Sequence, residues 1–195
     1  MITIDLLRHG AIEGGVKYRG ILDDPLTVEG RSSMDKVWQH LHGSVTSIIS
    51  SPLIRCAQPA QDWAKQKGIS CSLEARIQEL NYGDWEGLTA EEIEVHSPGF
   101  LQQWRVDPTY MTPPQGESML AFSERIRLFF DELITHHQNE HILLVAHSGT
   151  LRTLIAYVMA APIVSTRHLA MPYACWSRVQ VTQEGSMLIF HAKSS

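Results

Sequence analysis

Apolar positions along the chain change period several times, and each change marks an element. Ile2, Ile4 and Leu6-Leu7 form a short apolar run that reads as a strand. Met34, Val37, Trp38 and Leu41 recur at helical spacing, after Pro25 and Thr27 and before Gly43, so a helix is expected there. A second strand is expected at 47–50. Ser51-Pro52 then has the form of a helix start, serine as N-cap with proline in the first turn, and Gly68 is the matching stop. Ile69, Cys71 and Leu73 alternate as a third short strand.

From 75 to 118 the periodicity weakens, and glycines and prolines punctuate the chain. Trp85 and Trp104 lie there, with Tyr82 and Tyr110 beside them, and Thr89 with Glu92 has the spacing of a capping box. Aromatic content separates this stretch from a linker, so it reads as an insertion carrying functional loops. A long helix follows, with Met119, Phe122, Ile126, Phe129, Phe130, Leu133 and Ile134 on one face. His136 and His137 close it, as favourable helix C-terminal residues rather than metal ligands. The run 142–146 is apolar throughout, as a strand buried on both faces should be. A helix after Gly149 buries Leu151, Leu154, Ile155 and Val158, and 176–182 pairs with 187–191 as a hairpin around Glu184-Gly185. No internal repeat or low-complexity tract interrupts this order.

Three of the strands end in chemically loaded turns. The first leads into Arg8-His9-Gly10, the second through Ser51-Pro52 to Arg55, and the strand at 142–146 into His147-Ser148-Gly149. Taken singly, Arg55 would be a solvated helix residue and His147 a hydrogen-bonded core histidine. Their shared position separates them from that reading. In an open α/β sheet, ligands bind outside the carboxyl ends of the strands, so Arg8, His9, Arg55 and His147 are expected in one electropositive pocket.

Composition narrows the field. The 195 residues are 44% hydrophobic and carry a formal net charge of −5, so no overall basic field invites nucleic acid or an anionic membrane. An anionic substrate must therefore be attracted locally. Cys56, Cys71 and Cys175 are too few and too scattered for a disulfide framework or a zinc site, which fits a reducing compartment. Asp5 interrupts the first apolar run, which lacks a signal peptide's basic flank. The longest apolar stretch, 154–164, is short for a bilayer and contains Pro162. A cytoplasmic protein without membrane or nucleic-acid partners is expected; the pattern leaves oligomeric state open. His-x-His, His-Glu-x-x-His, an Asp-rich calcium loop, a P-loop and a dinucleotide fingerprint are all missing, so neither metal nor cofactor is expected.

The remaining chemistry suits a phosphate. Guanidinium groups fork onto equatorial phosphoryl oxygens, and a turn that opens a helix adds N–H donors. Histidine attacks phosphorus when one ring nitrogen is bare and the other is held. His9 is the best candidate, with Gly10 small enough to let phosphate approach the backbone. A proton donor to the leaving oxygen is sought in 78–87, which offers Glu79, Asp84 and Glu86. Glu79 stands nearest the strand ends. Tyr18, Tyr82, Trp85, Trp104 and Glu117 are candidates for the walls of the substrate pocket.

Arg8-His9-Gly10, Ser51-Pro52-x-x-Arg55, Glu79 before Tyr82-Gly83-Asp84-Trp85-Glu86-Gly87, Gly116-Glu117-Ser118 and Ala146-His147-Ser148-Gly149 together resemble the histidine phosphatase superfamily. The resemblance runs in order over nearly the whole chain. It implies an α/β fold, a three-layer α/β/α sandwich with a mixed, mostly parallel sheet flanked by helices. It implies one domain over 1–195, with 75–118 as a helical and loop insertion over the site. It also implies that His9 is phosphorylated, that Glu79 donates the proton, and that Arg8, Arg55 and His147 clamp the phosphate of a small phosphorylated substrate without cofactor or metal. Asp24-Pro25-Leu26-Thr27 and Ala174-Cys175-Trp176-Ser177 look most like the alpha-ribazole phosphatase branch, which acts on alpha-ribazole 5′-phosphate in cobalamin nucleotide-loop assembly. The chain departs from the common pattern at Ala11 and Gly15, where many members carry Glu or Gln and Asn. Losing that asparagine removes one phosphate donor.

Rival readings share parts of this set. A broad-specificity phosphatase or a phosphoglycerate mutase-like isomerase would use the same residues. Members that isomerise carry longer C-terminal segments, whereas this chain stops at Ser195 soon after its last hairpin, so hydrolysis is expected. A serine hydrolase using Ser148 lacks the flanking glycines of a nucleophile elbow. A non-catalytic phosphate-binding module would not need both His9 and Glu79.

Overall fold

A computed structural model describes residues 1–194. Six strands form one mixed sheet: β1 (Ile2–Arg8), β2 (Ser47–Ser50), β3 (Ser70–Leu73), β4 (His141–Ala146), β5 (Trp176–Thr182) and β6 (Gly185–Lys193), in the order β3-β2-β4-β1-β5-β6. The first four are mutually parallel, and β5 and β6 add an antiparallel edge. Register aligns the parallel strands at their carboxyl ends, with Arg8 opposite Ala146 and Ser50 opposite Val145.

Helices cover both faces. Strand alternation sends Leu6, Ile142 and Leu144 towards α5 (Met119–His136) and α6 (Ser148–Val158), and Leu7, Leu143 and Val145 towards α1 (Val28–Leu41) and α2 (Ile54–Lys67). That double burial is why β4 is apolar at every inward position. The three-layer arrangement inferred from the motifs is the one observed. Thr27 and Ser118 cap α1 and α5 through hydrogen bonds to Gly30 N and Ala121 N, each the kind of contact that contributes about 1 kcal/mol.

One local expectation fails. Ser51 does not cap α2, whose N-cap is Leu53; the Ser51 hydroxyl bonds to His147 (2.8 Å) and accepts from Leu53 N (3.4 Å), one position ahead of the helix, and Asp23 Oδ1 accepts from Ile54 N at 2.7 Å. The third short strand is observed as β3; it lies at the sheet edge and is mostly exposed, with Ile69 and Cys71 packed against the core on the α1 and α2 side. Asp5, a polar break in the sequence of β1, is 0% exposed and forms two hydrogen bonds with Arg178 (2.7 and 3.0 Å) and one with His141 (2.6 Å). Buried carboxylates persist where paired in this way.

Between β3 and α5 lie two single turns, Ala75–Ile77 and Gly83–Trp85, and the short helices α3 (Ala90–His96) and α4 (Phe100–Val106). Thr89 and Glu92 make the full capping box on α3. Trp85, Ile93 and Leu101 form a small core of this segment, with Tyr18, Tyr82 and Trp104 packed against it. His136 ends α5, and its Nδ1 bonds to Glu132 O. The three cysteines are unpaired. Among the described residues no helix is long and apolar enough to cross a membrane, and no group of three or more His, Cys, Asp or Glu is placed to hold a metal ion.

Candidate active site

Parallel register brings the residues just beyond β1, β2 and β4 to one sheet edge. His9 N bonds to Ala146 O and Ser51 N to Val145 O, both at 3.0 Å, so the turns continue the ladder before diverging. Two of these strands run almost directly into helices, α2 and α6. The first does not: 9–27 is a long loop before α1. A cleft of about 340 Å³ opens at this edge, lined by Arg8, His9, Arg55, Glu79, Tyr18 and Tyr82 among others. Lys17, Arg19 and Arg105 add cations, and Glu79 is the lone carboxylate of the lining. A chain of net charge −5 thus concentrates positive charge where an anion would bind.

His9 is 5% exposed. Its Nδ1 lies 2.8 Å from Gly10 O, an acceptor only, so Nδ1 carries the proton and Nε2 is left bare. Burial, then the charges of Arg55 and Arg8, hold its pKa well below the usual imidazole value, although the Gly10 bond opposes this. The ring is therefore neutral. Gly10 serves a different purpose from the one its size suggested: a Cβ there would overlap the backbone of Gly30 in α1, and a Cβ on Gly30 would overlap Ala11. The two glycines let the loop after His9 lie directly on α1.

Arg55 is 1% exposed and forms the hub of the site. Its Nη1 and Nη2 donate to Leu22 O and Gly20 O, both at 2.7 Å, and its Nε to His147 Nδ1 at 3.2 Å. Glu86 holds the opposite side of the same loop, accepting from the backbone N–H groups of Gly20, Ile21, Leu22 and Tyr82. Glu86 is thus structural.

His147 departs from its expected place in the clamp. It is fully buried behind Arg55, with its ring 5.3 Å from that of His9. Accepting from Arg55 at Nδ1, it donates from Nε2 to Ser51 Oγ at 2.8 Å. Both nitrogens are occupied by protein, so His147 orients Arg55 rather than facing the cleft. Its pKa is also held well below the usual value, first by burial and then by Arg55.

Glu79 takes the N–H donors that the sequence assigned to phosphate. Its Oε2 accepts from Gly149 N (2.8 Å) and its Oε1 from Thr150 N (3.2 Å) and Leu80 N (3.1 Å), placing the carboxylate on the first turn of α6. A Cβ on Gly149 would overlap this carboxylate, which accounts for the glycine after His147-Ser148. Glu117 lies outside the cleft. It forms an ion pair with Arg125 (2.7 and 2.9 Å), and Arg125 donates to the carbonyls of Arg76, Gln78 and Glu79. Through Arg125 it fixes the backbone under Glu79, and it is not part of the cleft lining.

Of the aromatic candidates, Tyr18 and Tyr82 line the cleft, and Trp104 lines an adjoining cavity. Trp85 does neither: it is 1% exposed, packed edge-on against Tyr18, Phe100 and Trp104. Tyr173 was missing from the sequence reading. It lies under the Arg8 guanidinium, 4.0 Å from its ring centroid, and 5.7 Å from the His9 ring. Arg8 is anchored to Met171 O by Nη1, while its Nε finds no protein partner. Ser148 lines the cleft, but the neighbouring His147 is bonded to Ser51 and Arg55 rather than to Ser148.

The sequence profile of the histidine phosphatase superfamily (branch 1) matches residues 4–192. The chain belongs to that superfamily. Among relatives of this histidine phosphatase, an adenosylcobalamin/alpha-ribazole phosphatase of Escherichia coli is 27% identical over 186 residues, covering 94% of this chain and 92% of the relative. A glucosyl-3-phosphoglycerate phosphatase of Mycobacterium tuberculosis is 29% identical, covering 89% and 83%. The solved structure of Bacillus stearothermophilus YhfR superposes with a TM-score of 0.92 at 25% identity, covering 100% of this chain and 98% of that one. This histidine phosphatase is an enzyme of the phosphoric monoester hydrolase class.

One consequence of the buried imidazoles is measurable without substrate. His9 and His147 should remain neutral as pH falls through 6.5, the ordinary imidazole value, in an NMR titration of the folded enzyme. The unfolded chain takes up those protons and the folded chain does not. Stability is therefore fully present above pH 6.5 and declines below it, by up to about 1.4 kcal/mol per pH unit for each histidine. A His9 ring that titrates at or above 6.5 would contradict the assignment.

Proposed function

We propose that this enzyme hydrolyses phosphate monoesters in two steps through a phosphohistidine at His9. The observation that carries the reading is the His9 tautomer: Nδ1–H held by Gly10 O and a bare Nε2 on a residue that lines a cationic cleft. In the first step the Nε2 lone pair attacks phosphorus and the ester P–O bond breaks. Glu79 gives its proton to the departing oxygen. In the second, Glu79 removes a proton from water, the water oxygen attacks phosphorus, the P–N bond breaks, and inorganic phosphate leaves. Arg8 and Arg55 stabilise the equatorial oxygens in both steps. His147 and Ser51 hold Arg55 in place. An isomerase would use the same groups, and release of inorganic phosphate to water distinguishes hydrolysis from it.

Alpha-ribazole 5′-phosphate is the ester that the motif resemblance names. The E. coli relative supports it, as do the faces of Tyr18, Tyr82 and Trp104, which suit a flat base.

The role of Glu79 is tested by leaving-group dependence. Glu79→Gln should slow hydrolysis of an alkyl phosphate by about 10²–10⁴-fold, the usual contribution of a positioned acid. For p-nitrophenyl phosphate, whose leaving group needs no proton, the loss in the first step should be far smaller. Burst kinetics separate that step from dephosphorylation. Equal losses on both esters would make Glu79 a positioning group.

A further inference from the structure

A second cavity, of about 370 Å³, adjoins the cleft and shares Tyr18, Tyr82 and Arg105 with it. Its lining includes Arg105, Arg152 and Arg167 and no carboxylate. These arginines arrive from three separate elements: α4, α6 and the short 3-10 helix Ile163–His168. Among the described residues none of them forms an ion pair. Arg152 spends its Nε on Leu169 O, at 2.8 Å, and Arg167 donates to Val106 O and His168. Those bonds fix the two side chains and leave other N–H groups of each guanidinium free. Among the described residues the Arg105 side chain makes no hydrogen bond. Apart from Arg8 and Arg55 of the cleft, which also lack an acid partner, the other arginines of this chain are paired with acids, as in Arg31–Asp62, Arg76–Glu132, Arg125–Glu117 and Arg178–Asp5. Three cations converging on one cavity whose lining holds no carboxylate are expected to meet an anion from outside.

We infer that the substrate of this enzyme is a phosphomonoester whose leaving group carries a second anionic group, carboxylate or phosphate, which the Arg105–Arg152–Arg167 cavity binds while the ester phosphate occupies the cleft at His9. This rests on the phosphatase reading above and specifies its substrate. The aromatic faces do not separate a neutral base from an anionic leaving group, whereas the arginines do. Alpha-ribazole 5′-phosphate has no second anion, so it is a weaker substrate than a suitable dianionic ester. Trp104 and Phe122 in the same lining offer apolar contact to the spacer between the two charges.

Matched esters test this. In 6-phosphogluconate and sorbitol 6-phosphate a carboxylate replaces a hydroxymethyl group on the same skeleton. Fructose 1,6-bisphosphate and fructose 6-phosphate do the same for a second phosphate. Inorganic phosphate release by the wild-type enzyme should give kcat/KM at least about tenfold higher for the anionic member of one pair, equivalent to one charge-assisted contact. Which pair shows it identifies the anion. Arg152→Gln and Arg167→Gln should each reduce that ratio several-fold. Arg167 is exposed, so its variant does not disturb the core. Ratios near one in both pairs, ratios unmoved by both substitutions, or alpha-ribazole 5′-phosphate outperforming every dianionic ester would overturn the inference. If the enzyme turns over none of these esters nor p-nitrophenyl phosphate, the hydrolase reading fails on its own. Calorimetric binding of the same pairs then still decides whether the cavity prefers the anionic member.

Discussion

His9→Ala abolishes ester turnover, with a loss of at least about 10⁴-fold, because without a nucleophile only binding and electrostatic stabilisation remain. The wild-type enzyme, quenched rapidly with labelled substrate, yields an acid-labile, base-stable phosphoenzyme that the variant does not form. The geometry makes the demand specific. Gly10 O holds one ring nitrogen, and burial beside Arg8 and Arg55 keeps the ring neutral, so the other nitrogen presents a lone pair. A His9→Ala enzyme that keeps near-normal turnover, or a phosphoenzyme that survives acid, removes His9 as the phosphorylated residue. Vanadate, which takes up the five-coordinate geometry of the transferring phosphorus, should inhibit the wild type.

Arg55→Ala lowers kcat by about 10²–10³-fold or more, the cost of removing one preorganised donor. The expectation is at the upper end for a structural reason. Arg55 binds the carbonyls of Gly20 and Leu22 as well as His147, so its loss also releases the loop that Glu86 holds from the other side. Arg55→Lys separates the two effects. A lysine keeps the charge but cannot fork to both carbonyls and the ring. If charge alone matters, Arg55→Lys recovers most of the activity; if the hub matters, it does not, and a thermal melt shows the loosened loop. A loss below tenfold for Arg55→Ala would detach Arg55 from the reaction.

What was legible in the sequence were features whose signal is local. Strand periodicity at Ile2–Arg8 and His141–Ala146, helical spacing around Met34 and Phe122, and the capping box at Thr89 each depend on neighbours within a few residues. Parallel β-pairing then places the residues after β1, β2 and β4 at one edge whatever the details of the loops. That is why Arg8, His9 and Arg55 meet at the cleft, where Glu79 joins them from the segment after β3. The motif resemblance added the topology and the reaction class.

Side-chain partners were not legible. Ser51 has the residue type and the following proline of an N-cap, yet its hydroxyl goes to His147, 96 positions away. Glu117 and Trp85 sit among plausible pocket residues, but Arg125 takes the first and a small apolar core takes the second. His147 could be placed at the strand end by counting, whereas only the fold shows both its nitrogens engaged.

By itself, then, the sequence determined the order of elements, the edge of the sheet that carries chemistry and the residues at the parallel strand ends. It did so because apolar period and turn chemistry act over short range. The tertiary structure alone decided which groups face the cleft. It swings Tyr173 beneath Arg8, sets Asp5 against Arg178 across 173 positions, and gathers Arg105, Arg152 and Arg167 around an acid-free cavity. Such contacts depend on how whole layers pack, and no periodicity along the chain records which distant side chain will lie across a layer.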